Sequence, residues 1–400
     1  MTAPLAAQEK VLKVGVLGPF TGSQARVGDE FRMSTEMAME NIGYKIGDYK
    51  LEIVWIDSQF DAVKGTSAYA EAIERKGIDV GVLNWASPVA VSCMDLAATH
   101  KIPHIFGFGA TAVINEKYHS DPEKYSYWPV KGWPEPSKLM KVYLDALEDA
   151  IAKGLWKPEK KTIAVCVEDH DYGRSAGPAI EKMFTEAGWE VVQIEYAPAT
   201  QTDFYSLMGR FKSRNVAVVL INNSYPAMGA IIKQAKEVGL KSVIIADGMG
   251  WVGNWHEMIG QAGENVLDMI PQLATPEARA WAEKFEAKAG FKPSPSSGGL
   301  AYDGVNFLIR ILERTLAKHG QLNKETIHEV IAGEVITGQL AFTRADGAIV
   351  MNAYRYTPET VPDPVLGAEG YFFPVLQYDQ DGLGHIVYPP DVATSEFKAP

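Results

Sequence analysis

The chain of 400 residues is 46% hydrophobic and 22% charged, long enough for two or three compact domains each with its own core, and it carries a formal net charge of −12 at pH 7. That acidity, with no sharp cluster of Lys and Arg, excludes a nucleic-acid partner, whose phosphates would be repelled. No uninterrupted apolar run approaches the ~18 to 20 residues that a membrane-spanning helix needs.

The N-terminal "MTAPLAAQEK" has no basic and apolar signal segment, yet "APLAAQ" has the small-residue character of the end of one. The reading is an exported, periplasmic chain with its leader removed or replaced, and no cysteine stands there to carry a lipid. Next comes "KVGVLGPFTGSQARVGDEF" (13–31), a strand-like run that passes through Gly15, Gly18 and Gly22 into a helix. Such a turn favours an anion, because free N–H groups and the helix dipole both point positive charge outward. "GPFTGS" lacks the lysine of a phosphate-binding loop, and the glycine spacing with Pro19 is not that of a dinucleotide turn. The turn at 18–28 is read as edging a site, with a plain tight turn as the other reading. Arg26 on it is either a second anion contact or a solvated side chain.

β-branched runs then alternate with helix-length segments. "LKVGVL" (12–17), "LEIVWI" (51–56), "IDVGVL" (78–83) and "IPHIFGF" (102–108) are separated by helical stretches such as 30–42 and 62–76. This spacing predicts right-handed βαβ units and a parallel sheet covered on both faces. After "YWPVKGWPEP" (127–136) the rhythm restarts with a helix near 137–153, followed by "TIAVCV" (162–167), "VVQIEY" (191–196), "VAVVLI" (216–221) and "SVIIAD" (242–247). Two similar α/β lobes in tandem are the simplest arrangement. In 225–240, Met228, Ile231, Ala235 and Val238 form one apolar stripe, and Gly239 ends the helix. The Pro-, Gly- and aromatic-rich tail reads as structure that wraps and closes a domain.

Several chemical motifs have to be weighed. Cys93 and Cys166 both lie in apolar runs and read as buried thiols rather than a disulfide. Pro103 spoils the helix that would align His100 and His104 on a metal, and "HEMIG" at 256–260 lacks the second histidine of a zinc-protease helix, so neither a metal nor a cofactor is expected. "GRSAG" (173–177) matches the nucleophile elbow of a serine hydrolase, with His256, His319, His328 and His385 downstream. Ser175 lies eight residues past Val167 rather than on a sharp turn after the strand, so small residues that let a helix pack closely are the preferred explanation.

The succession of "VGVLGPFTGSQARVGDEF", "VEDHDYGRSAGPAIEKMFTEAGWEVV", "PATQTDFYSLMGRFKSRNVAVVLI", "AMGAIIKQAKEVGL" and "AYDGVNFLIRIL" resembles the leucine/isoleucine/valine-binding branch of the type I periplasmic solute-binding proteins, over roughly residues 11 to 350. The resemblance implies two Rossmann-like α/β lobes joined by a three-crossover hinge. Lobe 1 would be 11–131 plus 272–337, and lobe 2 would be 132–271 plus 338–400. It also implies a monomer that closes on an amino acid or related small carboxylate, aromatic or aliphatic, and hands it to the permease of an ABC importer. A ligand-binding sensor domain of the same fold is the alternative.

Carried over residue by residue, the family's carboxylate-holding positions fall on Ser87 in "NWASPVA" and on Gly109, Ala110 and Thr111 in "FGFGAT". Hydroxyls and backbone N–H groups suit a carboxylate, which only accepts. Ser87 followed by Pro88 also reads as a helix cap. Opposite, the family's tyrosine falls on Tyr172, and its acid falls on Asp247 in "IADG", either an ammonium partner or ordinary turn chemistry. The second tyrosine of the family aligns with Ser224, with Tyr225 beside it. Trp85, Phe106 and Phe108 join the family's usual small residues near the first group, and Trp251 and Trp255 follow Asp247; together they suit a flat or bulky ligand, while each alone is more often core.

Overall fold

The β-branched runs form two mainly parallel sheets. The first is built from β1 (Lys10–Gly18), β2 (Lys45–Ile46), β3 (Tyr49–Asp57), β4 (Val80–Val82), β5 (His104–Gly107) and β6 (Val130–Lys131), in the order β2-β3-β1-β4-β5-β6. The second starts with β7 (Thr162–Glu168), β8 (Glu190–Ala197), β9 (Val218–Asn222), β10 (Val243–Ala246) and β11 (Leu267–Met269). A ribbon of β12 (Phe342–Thr343) and β13 (Ala353–Tyr354) follows. Finally β14 (Val375–Tyr378), antiparallel to β11, and β15 (Gly384–Tyr388), antiparallel to β14, extend the second sheet, giving β15-β14-β11-β10-β9-β7-β8. This computed structural model describes residues 10–251, 254–270 and 272–400, and the leader-like stretch at 1–9 lies outside them.

Burial explains the strand composition. Every residue of β7 ("TIAVCVE") and β9 ("VVLIN") is buried, as in a parallel sheet with helices on both faces. Cys93 and Cys166 are free, buried thiols within these layers. The helices run where the apolar stripes place them. Ala227–Glu237 buries Met228, Ile231 and Ala235, and the chain leaves it through Gly239 at φ 69°. Ala301–His319 buries Val305, Leu308 and Leu312, packs against Ala25–Asn41, and ends at Gly320 in the left-handed conformation.

The chain passes between the two sheets three times: after β6, after β11, and between the helix Lys324–Val330 and β14. The tail differs from the division read in the sequence, which put all of 338–400 with the second lobe. Asp303, buried in Ala301–His319, accepts from Ile349 N–H (2.8 Å), Val350 N–H (2.9 Å) and Tyr354 Oη (2.5 Å). Tyr356 Oη donates to Lys131 O at 2.6 Å and Tyr371 Oη to Gly132 O. The stretch 349–371 therefore bonds to the first-lobe side, and only β14 and β15 join the second sheet. Aromatic phenols that need buried acceptors draw it there. Buried Lys131 and Asp363 pair at 3.0 Å and tie the first crossover to the third.

Candidate functional site

Between the lobes lies a cleft with about 780 Å³ of unfilled space, part of it open to solvent. Its walls come from the loops at the carboxyl ends of the parallel strands, where open α/β sheets hold ligands. Lobe 1 contributes Gln24 after β1, Phe60 after β3, Trp85 and Ser87 after β4, and Phe108 and Ala110 after β5. Lobe 2 contributes Glu168 and Tyr172 from the β7 end, Asn222 to Tyr225 from β9, and Asp247 from β10.

At the ends of β4 and β5 the lobe 1 wall is apolar apart from one hydroxyl. Trp85 and Phe108 rings lie 6.0 Å apart and both pack on Phe31. Ser87 is the first residue of the helix Ser87–His100, and Ala86 is the cap, so the hydroxyl does not cap this helix as its sequence position suggested. Instead its Oγ accepts from Ala110 N–H (3.1 Å) and Thr111 N–H (3.3 Å), stitching the β4 and β5 loops together. A hydroxyl that accepts twice still has its own proton to offer a ligand carboxylate.

Of the residues carried over from sequence, Trp85, Ser87, Phe108, Ala110, Tyr172, Tyr225 and Asp247 line the cleft together, whereas Gly109 and Thr111 stand behind it. A side chain at Gly109 would meet Ala90 and Ile114 at 2.9 Å, so that glycine serves close packing. Thr111 caps the helix Ala112–Ser120, and its Oγ1 donates across the lobes to Asp171 O at 3.0 Å. Arg26 is also away from the cleft: its guanidinium stacks 3.4 Å over Phe291 and donates to Lys292 O. Phe106 and Trp255 are buried in packing, and the side chain of Trp251 is outside the described residues.

The lobe 2 wall is polar and acidic. Asp247 is buried and accepts from Tyr143 Oη (2.9 Å), Tyr172 Oη (3.1 Å) and Asn222 Nδ2 (2.6 Å). Burial and the charge of nearby Asp268 push its pKa up to about 7, while those three donors pull the other way. Asp268 is itself held at about 6, raised by burial against donation from Gly250, Gly248 and Tyr378. Glu168 accepts from Ser224 N–H at 2.9 Å and faces His170 Nε2 at 2.7 Å. Burial drives its carboxyl up, but these two partners prevail and hold it below the usual range.

Sequence reasoning missed Glu168, Asn222 and Asn223, although the first two end strands it had placed and the third follows directly. The available signal was position alone: a polar residue closing an otherwise apolar parallel strand.

The lobes touch across the cleft. Gln24 Nε2 donates to Tyr225 O (3.3 Å), and Ala112 N–H donates to Ser175 Oγ (3.0 Å). Ser175, the serine of "GRSAG", thus sits inside the helix Asp171–Glu186 and bonds to a backbone amide. The downstream histidines are engaged elsewhere: His256 with Gln380 O, His319 with Glu329, His328 with Ser126 and His385 with Asp379. A side chain at Gly173 would meet Glu168 O at 2.0 Å and one at Gly177 would meet Tyr196 Oη at 2.8 Å, so the motif's small residues let this helix lie close on β7 and β8.

Comparison with known proteins agrees with this architecture. The chain matches the periplasmic binding protein family over residues 11–359. It is 28% identical over 331 residues to the Leu/Ile/Val-binding protein homolog 6 of Brucella abortus (strain 2308), covering 79% of each chain. Solved structures share the fold, two of them with ligands of different chemistry. One is a branched-chain amino acid ABC transporter protein from Thermus thermophilus with bound valine (TM-score 0.74, 18% identity, 98% of each chain). The other is an ABC transporter solute-binding protein from Rhodopseudomonas palustris BisB5 in complex with 3,4-dihydroxybenzoic acid (TM-score 0.74, 19% identity, 94% of this chain and 96% of that one). Among the described residues no helix is long and apolar enough to cross a membrane.

Proposed function

Because this chain belongs to the periplasmic binding protein family, we propose that it captures an amino acid outside the cytoplasmic membrane and presents it, as a monomer, to the permease of an ABC importer. Capture is by lobe closure, with residues 11–131 and 272–337 moving against 132–271 and the C-terminal strands. No catalytic step is involved. The observation that carries the ligand class is the cleft's charge: Glu168 and Asp247 line it, and no Lys or Arg does among the described residues. A ligand with only a carboxylate would face two buried acids without a countercharge, which is costly in a closed cleft. An α-ammonium removes that cost by pairing with Asp247, while the α-carboxylate takes the Ser87 hydroxyl and the apolar part lies against Trp85 and Phe108.

A flat aromatic acid is the second reading, favoured by the Trp85 and Phe108 rings. The relatives' names span both: Leu/Ile/Val-binding in Brucella, valine in Thermus, a dihydroxybenzoic acid in Rhodopseudomonas. Calorimetry against amino acids and benzoates separates the two. A true ligand at a hundredfold excess over Kd also stabilises the fold by about 2.7 kcal/mol, and small-angle scattering should report compaction. Binding without compaction would contradict lobe closure.

A further inference from the structure

The C-terminal edge of the second sheet carries more acceptors than one ammonium can use. In the register of β7, β9 and β10, Val167 is opposite Asn222 and Ala246 opposite Ile221, so one step further Glu168 stands beside Asn223 and Asp247 beside Asn222. The two acids thus flank β9 on opposite sides, on strands whose backbones lie about 10 Å apart at the usual spacing. Asn222 and Asn223 are buried, and their amides cannot turn. Asn222 Nδ2 is committed to Asp247 and Tyr172, and Asn223 Nδ2 donates to Ala197 O at 2.9 Å. That orientation leaves both Oδ1 atoms buried without a donor. Each such atom costs about 1–3 kcal/mol unless something donates to it.

His170 takes up only part of Glu168. Its Nδ1 accepts from Tyr172 N–H at 3.1 Å, so Nδ1 carries no proton and the ring's single proton is on Nε2, directed at Glu168. With Nδ1 used as an acceptor, the ring meets Glu168 through one N–H, so the carboxylate keeps acceptor capacity toward the cleft.

We infer that Glu168 and Asn223 form a second cation-binding subsite, and that the ligand is a basic amino acid whose distal ammonium or guanidinium occupies it. This rests on the amino-acid reading above. In lysine, six bonds separate the two nitrogens, about 7 Å when extended, which with a hydrogen bond at each end reaches from Asp247 to Glu168. The rings above fit the same ligand. Trp85, Phe108 and Phe60 line the opposite wall, and cations and their methylene stems pack well on aromatic faces.

The test compares lysine with norleucine, which has the same chain without the distal ammonium, by calorimetry on the unaltered protein. Lysine should bind at least about tenfold tighter, the strength of one charge-assisted hydrogen bond. Glu168→Gln should shrink that ratio to about threefold or less. Equal or tighter binding of norleucine overturns the inference and leaves the amino-acid reading intact. No binding of lysine, ornithine or arginine also overturns it, and benzoate binding while every amino acid fails overturns both. A lysine preference that survives Glu168→Gln overturns the assignment to Glu168.

Discussion

The two walls of the cleft are built on the same βαβ plan yet present opposite chemistry. At the ends of β4 and β5 the first lobe offers rings packed on one another and a single hydroxyl that already holds two loops together. At the ends of β7, β9 and β10 the second lobe offers Asp247, Asn222 and Tyr172 bonded to one another, with Glu168 and Asn223 beside them on separate partners. Packing makes the first wall a platform without a charged group of its own at those strand ends. Unbalanced acceptors make the second a selector for positive charge. A common fold therefore leaves specificity to the one or two residues that follow each strand.

That contrast breaks most sharply at Asp247. Asp247→Asn should weaken an amino-acid ligand by about 2–5 kcal/mol, since the ammonium is left unpaired, with calorimetry as the check. The amide fits the site if its nitrogen faces Tyr143, whose hydroxyl can accept instead of donate. A loss of less than threefold in Kd would move the ammonium elsewhere.

On the platform side the change is smaller and less selective. Ser87→Ala removes a donor to the ligand and strands the N–H groups of Ala110 and Thr111. It should cost about 1–3 kcal/mol in binding and lower the melting temperature of the ligand-free protein, whereas Asp247→Asn should raise it at pH 8.

The pH dependence follows from the same asymmetry. The folded state holds a proton on Asp247 up to about 7 and on Asp268 up to about 6, well above the usual value of 3.8. Between pH 4 and 7 these two acids therefore bind more protons in the native than in the unfolded state, and their contribution to ligand-free stability falls as pH rises through that window, against the opposite contribution of buried His104, whose pKa is lowered to about 3. Affinity runs the other way, because the ammonium pairs with the ionised acid: below pH 7 it should drop by up to about tenfold per unit. Denaturation and titration from pH 5 to 8, each read as the difference between the unaltered protein and Asp247→Asn, would show both slopes, and parallel slopes would contradict the pairing.

Ser175→Ala gives the smallest effect. It deletes the bond to Ala112 N–H that spans the lobes but touches neither wall. We expect about 0.5–1.5 kcal/mol in affinity, seen as faster dissociation in stopped flow with unchanged ligand preference.

How much was legible beforehand tracks how local the signal is. The strands β1, β3, β4, β5, β7, β8, β9 and β10 were readable because each is a β-branched run bounded by turn residues. The two-residue β2 and β6 carry no such pattern, and β11 gains strand character only from pairing with β10 and β14. In the site, Ser87, Tyr172 and Asp247 were found through a resemblance and then seen to line the cleft. Thr111 and Gly109 were placed one layer too far forward, because sequence gives the loop but not which way it faces. Glu168 and Asn223 escaped notice since their role depends on β7 lying beside β9, a pairing between residues far apart in the chain.

The central claim is that the second wall selects an ammonium. Norleucine and hexanoate differ only in that group, so their calorimetric affinities for the unaltered protein compare it directly. Norleucine should bind at least about 30-fold tighter, equivalent to about 2 kcal/mol. Hexanoate binding as well as norleucine, or better, would contradict the account.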